Sequence, residues 1–284
     1  MKHVLALTIL VMIAFAANSI LVRLALLNEL IDPMSFSIVR ILAGAAALAI
    51  IAGPKRTLRS GSWKGAVYLL LYAVFFSYAY LSLEAGTGAL ILFAAVQIVM
   101  IGSGFRNGER LSLKGWIGMT LACLGLFFLL SPGATTSPNL TGALLMGLSG
   151  LGWALYSLHG RQSVSPTLAT AGNFARAALC LLIISLPVLA IFPEPIPSTK
   201  GLLLAFVSGA ITSGLGYSLW YKVLPQIPAT QASITQLSVP AIAAIAGVIF
   251  LNETLTARLL VTTAMVLGGV GVVTIFPGEQ PKAQ

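Results

Sequence analysis

Charge is scarce in this sequence. Asp, Glu, Lys and Arg make up 8% of its 284 residues, where a soluble domain carries roughly 25%. So few charges cannot clothe a water-soluble surface of this size, and the bilayer must be the solvent for most of the chain. Acids are scarcer still. None of the seven falls in the middle of an apolar run; even Glu84 closes one. Proton-coupled carriers commonly hold a carboxylate or histidine relay at membrane depth. The only histidines here are His3 and His159, and both lie at run ends. Movement of a solute down its own gradient is therefore expected rather than proton coupling. The only two cysteines, Cys123 and Cys180, sit in apolar runs. They outline no disulfide framework and no metal cluster.

Apolar residues, in contrast, fill 58% of the chain. Ten runs are long enough to be spans, at ~20 residues each. They cover Val4–Leu27, Met34–Ala52, Gly65–Leu83, Thr87–Phe105, Gly115–Leu130, Leu140–Leu158, Leu168–Phe192, Gly201–Tyr221, Ala229–Leu251 and Arg258–Phe276. Breakers separate them, among them Asp32-Pro33, Gly53-Pro54 and Pro193 to Pro197. Lys2, His3 and the Ala14-Phe15-Ala16 tripeptide mimic a signal peptide. The apolar run continues past that site to Leu27, so the segment is expected to stay as a helix. The expected fold class is all-α integral membrane, a single membrane domain over residues 1–284.

The basic residues set an orientation. With the N-terminus in the cytoplasm, the inner side receives Lys2, Lys55, Arg56, Arg59, Lys64, Arg106, Arg110, Lys114, Arg161, Lys222 and Lys282, and the outer side only Lys200 and Arg258. Eleven against two is a strong positive-inside bias. It agrees with an even number of spans and with both termini in the cytoplasm. Nucleic acid is not an expected partner despite the net charge of +9, because the basic residues flank spans and line no solvated groove.

The chain also repeats itself. Phe15, Asn18, Ser19 and Arg23 in the first span have the spacing of Trp153, Tyr156, Ser157 and Arg161 in the sixth. Pro33, Phe36 and Arg40 open the second span; Pro166, Phe174 and Arg176 open the seventh less regularly. Glu109, Leu111, Ser112 and Gly125 match Glu253, Leu255, Thr256 and Gly269. Five crossings separate the copies, so the second is inverted, as in many secondary transporters. Residues 1–133 form the first five-helix repeat and 138–279 the second, around a central cavity. Two inverted copies that exchange conformations open the cavity to one side and then to the other.

At Asn18-Ser19 to Arg23, Phe36 to Arg40, Gly108-Glu109-Arg110-Leu111-Ser112, Asn252-Glu253-Thr254-Leu255-Thr256 and Ala232 to Pro240, the chain resembles the EamA-type ten-helix exporters of the drug/metabolite transporter superfamily. The resemblance covers nearly the whole chain. Gln97 departs from it, standing in the first half where Pro240 stands in the second. Size and aromatic content look most similar to the bacterial aromatic amino-acid exporters of that family. The resemblance implies a multi-pass protein of the bacterial inner membrane that exports small molecules, amino acids among them, through a cavity between the halves. It implies no bound cofactor.

Polar and aromatic residues recur at helical spacing in five spans. These stripes hold Phe15, Asn18 and Ser19; Phe75, Tyr78 and Ser82; Trp153, Tyr156 and Ser157; Ser213, Tyr217 and Trp220; and Ala232, Gln236 and Pro240. Converging, they would give aromatic walls with a few amide and hydroxyl groups, suited to an amphipathic substrate. Asn18, Tyr78, Ser82, Trp153, Tyr156, Ser157, Tyr217 and Gln236 are the candidate substrate-binding residues. The same residue types also serve as interhelical glue or as interfacial belts, the latter suiting Tyr68 and Tyr221. Arg40 and Arg176, roughly 10 Å inside at 1.5 Å per residue, are candidates for a gate or mouth. Arg23 and Arg161 lie nearer span ends, where snorkelling to headgroups is the favoured account.

An enzyme is the rival class. Gly147-Leu148-Ser149-Gly150 matches the short pattern of intramembrane serine proteases. A serine nucleophile needs a base beside it, and His159 lies ~15 Å further along the same helix, so neither catalysis nor a bound metal is expected. A channel would need charge rings or a carbonyl filter, and no filter-like repeat is present. Ala45/Ala49 and Ala243/Gly247 allow close helix packing but leave the oligomeric state open.

Overall fold

The computed structural model describes residues 2–106, 111–131, 137–161, 163–191, 194–226 and 235–276. Every regular element among them is helical. Seven helices are long and apolar enough to cross a membrane, and three shorter apolar ones accompany them. The order is α1 (Lys2–Leu27), α2 (Pro33–Ala52), α3 (Pro54–Arg59), α4 (Trp63–Ala79), α5 (Ala85–Arg106), α6 (Leu113–Leu130), α7 (Leu140–Gly160), α8 (Pro166–Ile191), α9 (Thr199–Val207), α10 (Gly216–Val223), α11 (Ser238–Leu251) and α12 (Ala257–Ile275).

The helix starts follow from local chemistry. Asp32 accepts the Ser35 N–H at 2.8 Å, with Pro33 in the first turn of α2, where its missing N–H costs nothing. Ser112 caps α6 by accepting from Gly115 N, and Thr256 caps α12 by accepting from Leu259 N, each at 3.1 Å. These two residues are equivalent in the sequence repeat. The connection after α2 holds a short helix, α3, that hydropathy alone did not reveal; Gly53, at φ +85°, makes the corner between them.

Other differences from the sequence expectation concern the third, eighth and ninth spans. Helix α4 ends at Ala79, and the chain turns before Glu84. The eighth span is not one regular helix. Between α9 and α10, residues Ser208–Leu215 adopt a wider π-helical turn, a feature that often marks functional sites. Of the ninth, the described helix is Ser238–Leu251; Pro228, Ala229 and Ala232 lie outside the described residues, as do Gly108 to Arg110.

Small residues set the tightest helix contacts. Helices α6 and α12 meet at Gly118 and Gly269, where a Cβ on either would press on the other's carbonyl oxygen. A Cβ on Gly44 of α2 would strike the Phe174 ring of α8, and one on Gly209 would strike the Arg40 carbonyl. Helices α2 and α8 and the π-helical turn thus pack closely around the buried Arg40. The Ala243/Gly247 pair packs within the chain: Gly247 faces Ala85 and Glu253. The outer faces are apolar, with Ile50, Phe127, Leu144 and Phe250 more than 60% exposed. That is the distribution expected when lipid is the solvent.

Candidate substrate cavity and its two closures

Asn18, in the fifth turn of α1, meets the π-helical turn. Its Oδ1 accepts from Ser208 Oγ at 2.9 Å, Ser213 Oγ at 3.3 Å and the Thr212 hydroxyl. A π-helix winds about 4.4 residues per turn, so positions 208, 212 and 213 share one face. Its Nδ2 donates to the Tyr217 hydroxyl at 3.3 Å. Arg40 joins from α2. Its Nε donates to Ser213 Oγ at 2.9 Å, and its Nη2 to the Tyr72 and Tyr217 hydroxyls at 2.9 and 2.6 Å. Tyr217 in turn donates to Tyr72. The guanidinium lies about 5 Å from the centres of the Tyr72 and Phe76 rings.

An aromatic cluster adjoins this network. Trp153 lies 5.0 Å from Phe15, 5.0 Å from Tyr72 and 4.7 Å from Tyr217, centroid to centroid. Its indole N–H donates to Gln236 Oε1 at 3.0 Å. Tyr156 and Tyr221 stack beyond, 4.9 Å apart. Phe15, Ser19, Tyr72, Phe76, Trp153 and Tyr217, with Leu92 and Phe93 of α5, line a small cavity of about 10 Å³, room for little more than one water. At these ring separations the walls touch one another.

Two further sets of contacts tie helices together on either side of this cluster. At one end Arg23 pairs with Glu253 at 3.4 Å and donates to the Tyr80 carbonyl at 3.0 Å. Glu253 also accepts the Ala85 N–H. These contacts join the ends of α1, α4 and α11 to the start of α5. Burial holds the Glu253 carboxyl above the ordinary carboxylate range, outweighing the Ala85 N–H and Arg23. At the other end Arg176 donates to the Ser60, Gly172 and Leu58 carbonyls and lies over the Trp63 ring. Ser62 N–H donates to Asn173 Oδ1, and the Ser62 hydroxyl bonds His159 Nε2, both at 2.8 Å. These join the α3–α4 corner to α7 and α8.

A family model described as the EamA-like transporter family matches residues 3–131 and 140–275. The chain belongs to this family. It is 46% identical over 275 residues to an uncharacterized protein of Pseudomonas aeruginosa, spanning 96% of this chain and 94% of that protein. It is 25% identical to an uncharacterized transporter of Bacillus subtilis, over 92% and 90% of the two chains. The threonine/homoserine exporter RhtA of Salmonella typhimurium is 32% identical over 162 residues, 55% of this chain and 53% of that one. A solved crystal structure with 19% identity superposes with a TM-score of 0.63, over 94% of this chain and 97% of the other; that likeness concerns the fold.

In this EamA-family chain, the sequence-picked residues fall into three groups. Asn18, Trp153, Tyr156, Tyr217 and Gln236 come together, all buried. Ser157 is buried next to Tyr156, and its hydroxyl has no partner among the described residues. Tyr78 and Ser82 are not brought into the cluster: Tyr78 is only half-buried, and Ser82 is exposed past the end of α4, near Gly142. The inward face of α4 is Tyr72, Phe76 and Tyr80 instead. Tyr72 keeps the i, i+4 spacing to Phe76, but the sequence offered a second aromatic face, Phe75 and Tyr78, with the same period. Arg40 is not at a mouth; it lies at the centre, 0% exposed. Tyr221 is not interfacial either, being fully buried and donating to the Tyr156 carbonyl.

The protease pattern finds no base. Ser149 is fully buried and donates to the Tyr72 carbonyl at 2.9 Å, while His159 is held by Ser62. Relatives of this chain are named as transporters. No group of three or more His, Cys, Asp or Glu comes together among the described residues.

Proposed function

We propose that this EamA-family membrane protein is a secondary transporter that exports small amphipathic metabolites, amino acids first among them, by alternating access. The observation that carries this reading is the buried cluster of Asn18, Trp153, Tyr217 and Gln236, polar and aromatic at once, lying between two separately tied ends. Buried polar groups are costly in lipid, and a cavity that binds a head group and an apolar side chain gives them a use. Asn18 and Gln236 bond the head group; Trp153 and Tyr156 pack the side chain. A relative named as a threonine/homoserine exporter supports the amino-acid class.

Ten crossings in two inverted halves, 1–133 and 138–279, fit the packing. Helix α4 packs on α7 as the α9–α10 segment packs on α1, α5 on α7 as α11 on α1, and α6 on its counterpart α12. The family description fits two stretches of nearly equal length. The end-to-end ties of α1, α4, α5 and α11 agree with helices that alternate in direction. In the proposed orientation both termini and the α2–α4 connection face the cytoplasm of a bacterial inner membrane, following the basic residues. Labelling Arg59→Cys from outside intact cells should fail; efficient labelling would reverse the orientation.

The deciding experiment is efflux of labelled amino acids from liposomes containing the purified chain. Aromatic and medium apolar amino acids should move down their own gradients, with or without a pH gradient. A strict need for an imposed proton gradient would refute the uncoupled mechanism. Failure to move any amino acid would refute the substrate class.

A further inference from the structure

Arg40 is a fully buried cation with no anion beside it among the described residues. Its described partners are three neutral hydroxyls, and Nη1 has no hydrogen-bond partner among the described residues. The other described arginines with bonds differ. Arg23 has Glu253, Arg258 has the Phe128 and Ser131 carbonyls, and Arg176 has three carbonyls. The network around Arg40 is also short of acceptors. Asn18 Oδ1 faces three hydroxyls, of which Thr212 has a second acceptor, the Ser208 carbonyl, while Tyr217 receives from both Arg40 and Asn18. A buried charge without a counter-charge is unfavourable, and a cluster rich in donors and poor in acceptors lacks what an anion supplies.

The position of this cluster points to the source of the anion. Tyr72, Tyr217 and Phe76 contact Arg40 on one side and line the cavity on the other. Two of these walls carry hydroxyls that can turn, so they can release the guanidinium to an incoming group and then donate to it.

We infer that Arg40 is the anion receptor of the cavity, binding the carboxylate of the transported molecule, with the Tyr72 and Tyr217 hydroxyls completing the site. This rests on the transporter reading and narrows it: substrates must carry a carboxylate, and the amino group is secondary. Nη1 and Nη2 of the guanidinium face the two carboxylate oxygens, the arrangement that makes Arg–carboxylate pairs strong. The side chain of the molecule then lies toward Phe15 and Trp153.

The test is competition against labelled leucine efflux in liposomes containing the full chain. Isovalerate, which keeps the carboxylate and lacks the amine, should compete. Leucinamide and isoamylamine, which lack the carboxylate, should compete at least about 10-fold more weakly. Arg40→Met should abolish the preference, and Arg40→Lys should retain part of it. Equal competition by leucinamide and leucine in the wild-type chain would overturn the assignment, and this arm needs no variant to fold. Inorganic phosphate should not compete; competition equal to that of isovalerate would make the site a general anion site and overturn the carboxylate assignment. If the wild-type chain moves no amino acid, the amino-acid transport reading fails by itself, and thermal unfolding decides the receptor. Isovalerate should then raise the unfolding temperature where isoamylamine does not, and equal or absent shifts would overturn it.

Discussion

Arg40 and Arg176 both lie in helices that begin with a proline, yet their surroundings differ in kind. Arg40 is enclosed by side-chain hydroxyls from α4, α10 and the π-helical turn. Arg176 is half-buried and bonds backbone carbonyls, two of them in the α3–α4 corner. Carbonyls are acceptors fixed in the backbone, so Arg176 ties α8 to that corner. Hydroxyls donate as well as accept and can turn, so the site of Arg40 can admit a guest. The residue type is shared; the chemistry of the partners separates the two arginines.

The comparison breaks most readily on transport. Arg40→Met should lower leucine efflux about 100-fold, the scale of a lost charge-assisted pair, whereas Arg176→Met should lower it only about 3-fold. Measured in liposomes at equal protein density, similar losses would mean that both arginines are latches. Next in size is the wall beside the receptor. Trp153→Ala should reduce phenylalanine efflux about 10-fold and threonine efflux less than about 2-fold, because only the larger side chain reaches the indole. If Trp153→Ala and Asn18→Ala both carry every amino acid at wild-type rates, the cluster is only a helix-packing surface.

The smallest effect concerns the closure opposite Arg176. Burial raises the Glu253 carboxyl in the folded protein. The stability it contributes is full below the ordinary carboxylate pKa and is lost as pH rises through the raised value. Thermal unfolding of the wild-type chain should therefore fall slightly over that window, while Glu253→Gln flattens the dependence. A rise in stability with pH that Glu253→Gln removes would mean that the Arg23 pair outweighs burial.

Membrane class and helix positions were legible because lipid punishes any polar backbone or side chain left unpaired. Runs and breakers such as Asp32-Pro33 could be read directly, whereas the caps at Asp32, Ser112 and Thr256 emerged only from the structure. Spacing put Asn18, Trp153, Tyr217 and Gln236 on polar or aromatic stripes, and packing brought these four together. On α4 the sequence offered two aromatic faces, Phe75 with Tyr78 and Tyr72 with Phe76. Periodicity says that residues share a face, not which face turns inward, and packing against α7 and α8 chose Tyr72. The depth of Arg40 was hidden for a related reason. Rise per residue gives distance along a helix but not what surrounds it.

The sequence by itself determined the solvent, the apolar segments and the repeated spacings, since these depend on composition and local period. Only the tertiary structure decided that Ser208, Thr212 and Ser213 converge on Asn18, because a π-helical turn changes the period locally. Tertiary packing alone also separated Arg40 from Arg176. Small residues at Gly44 and Gly209 let α2, α8 and the π-helical turn close around one guanidinium, while Gly172 let the α3–α4 corner present its carbonyls to the other.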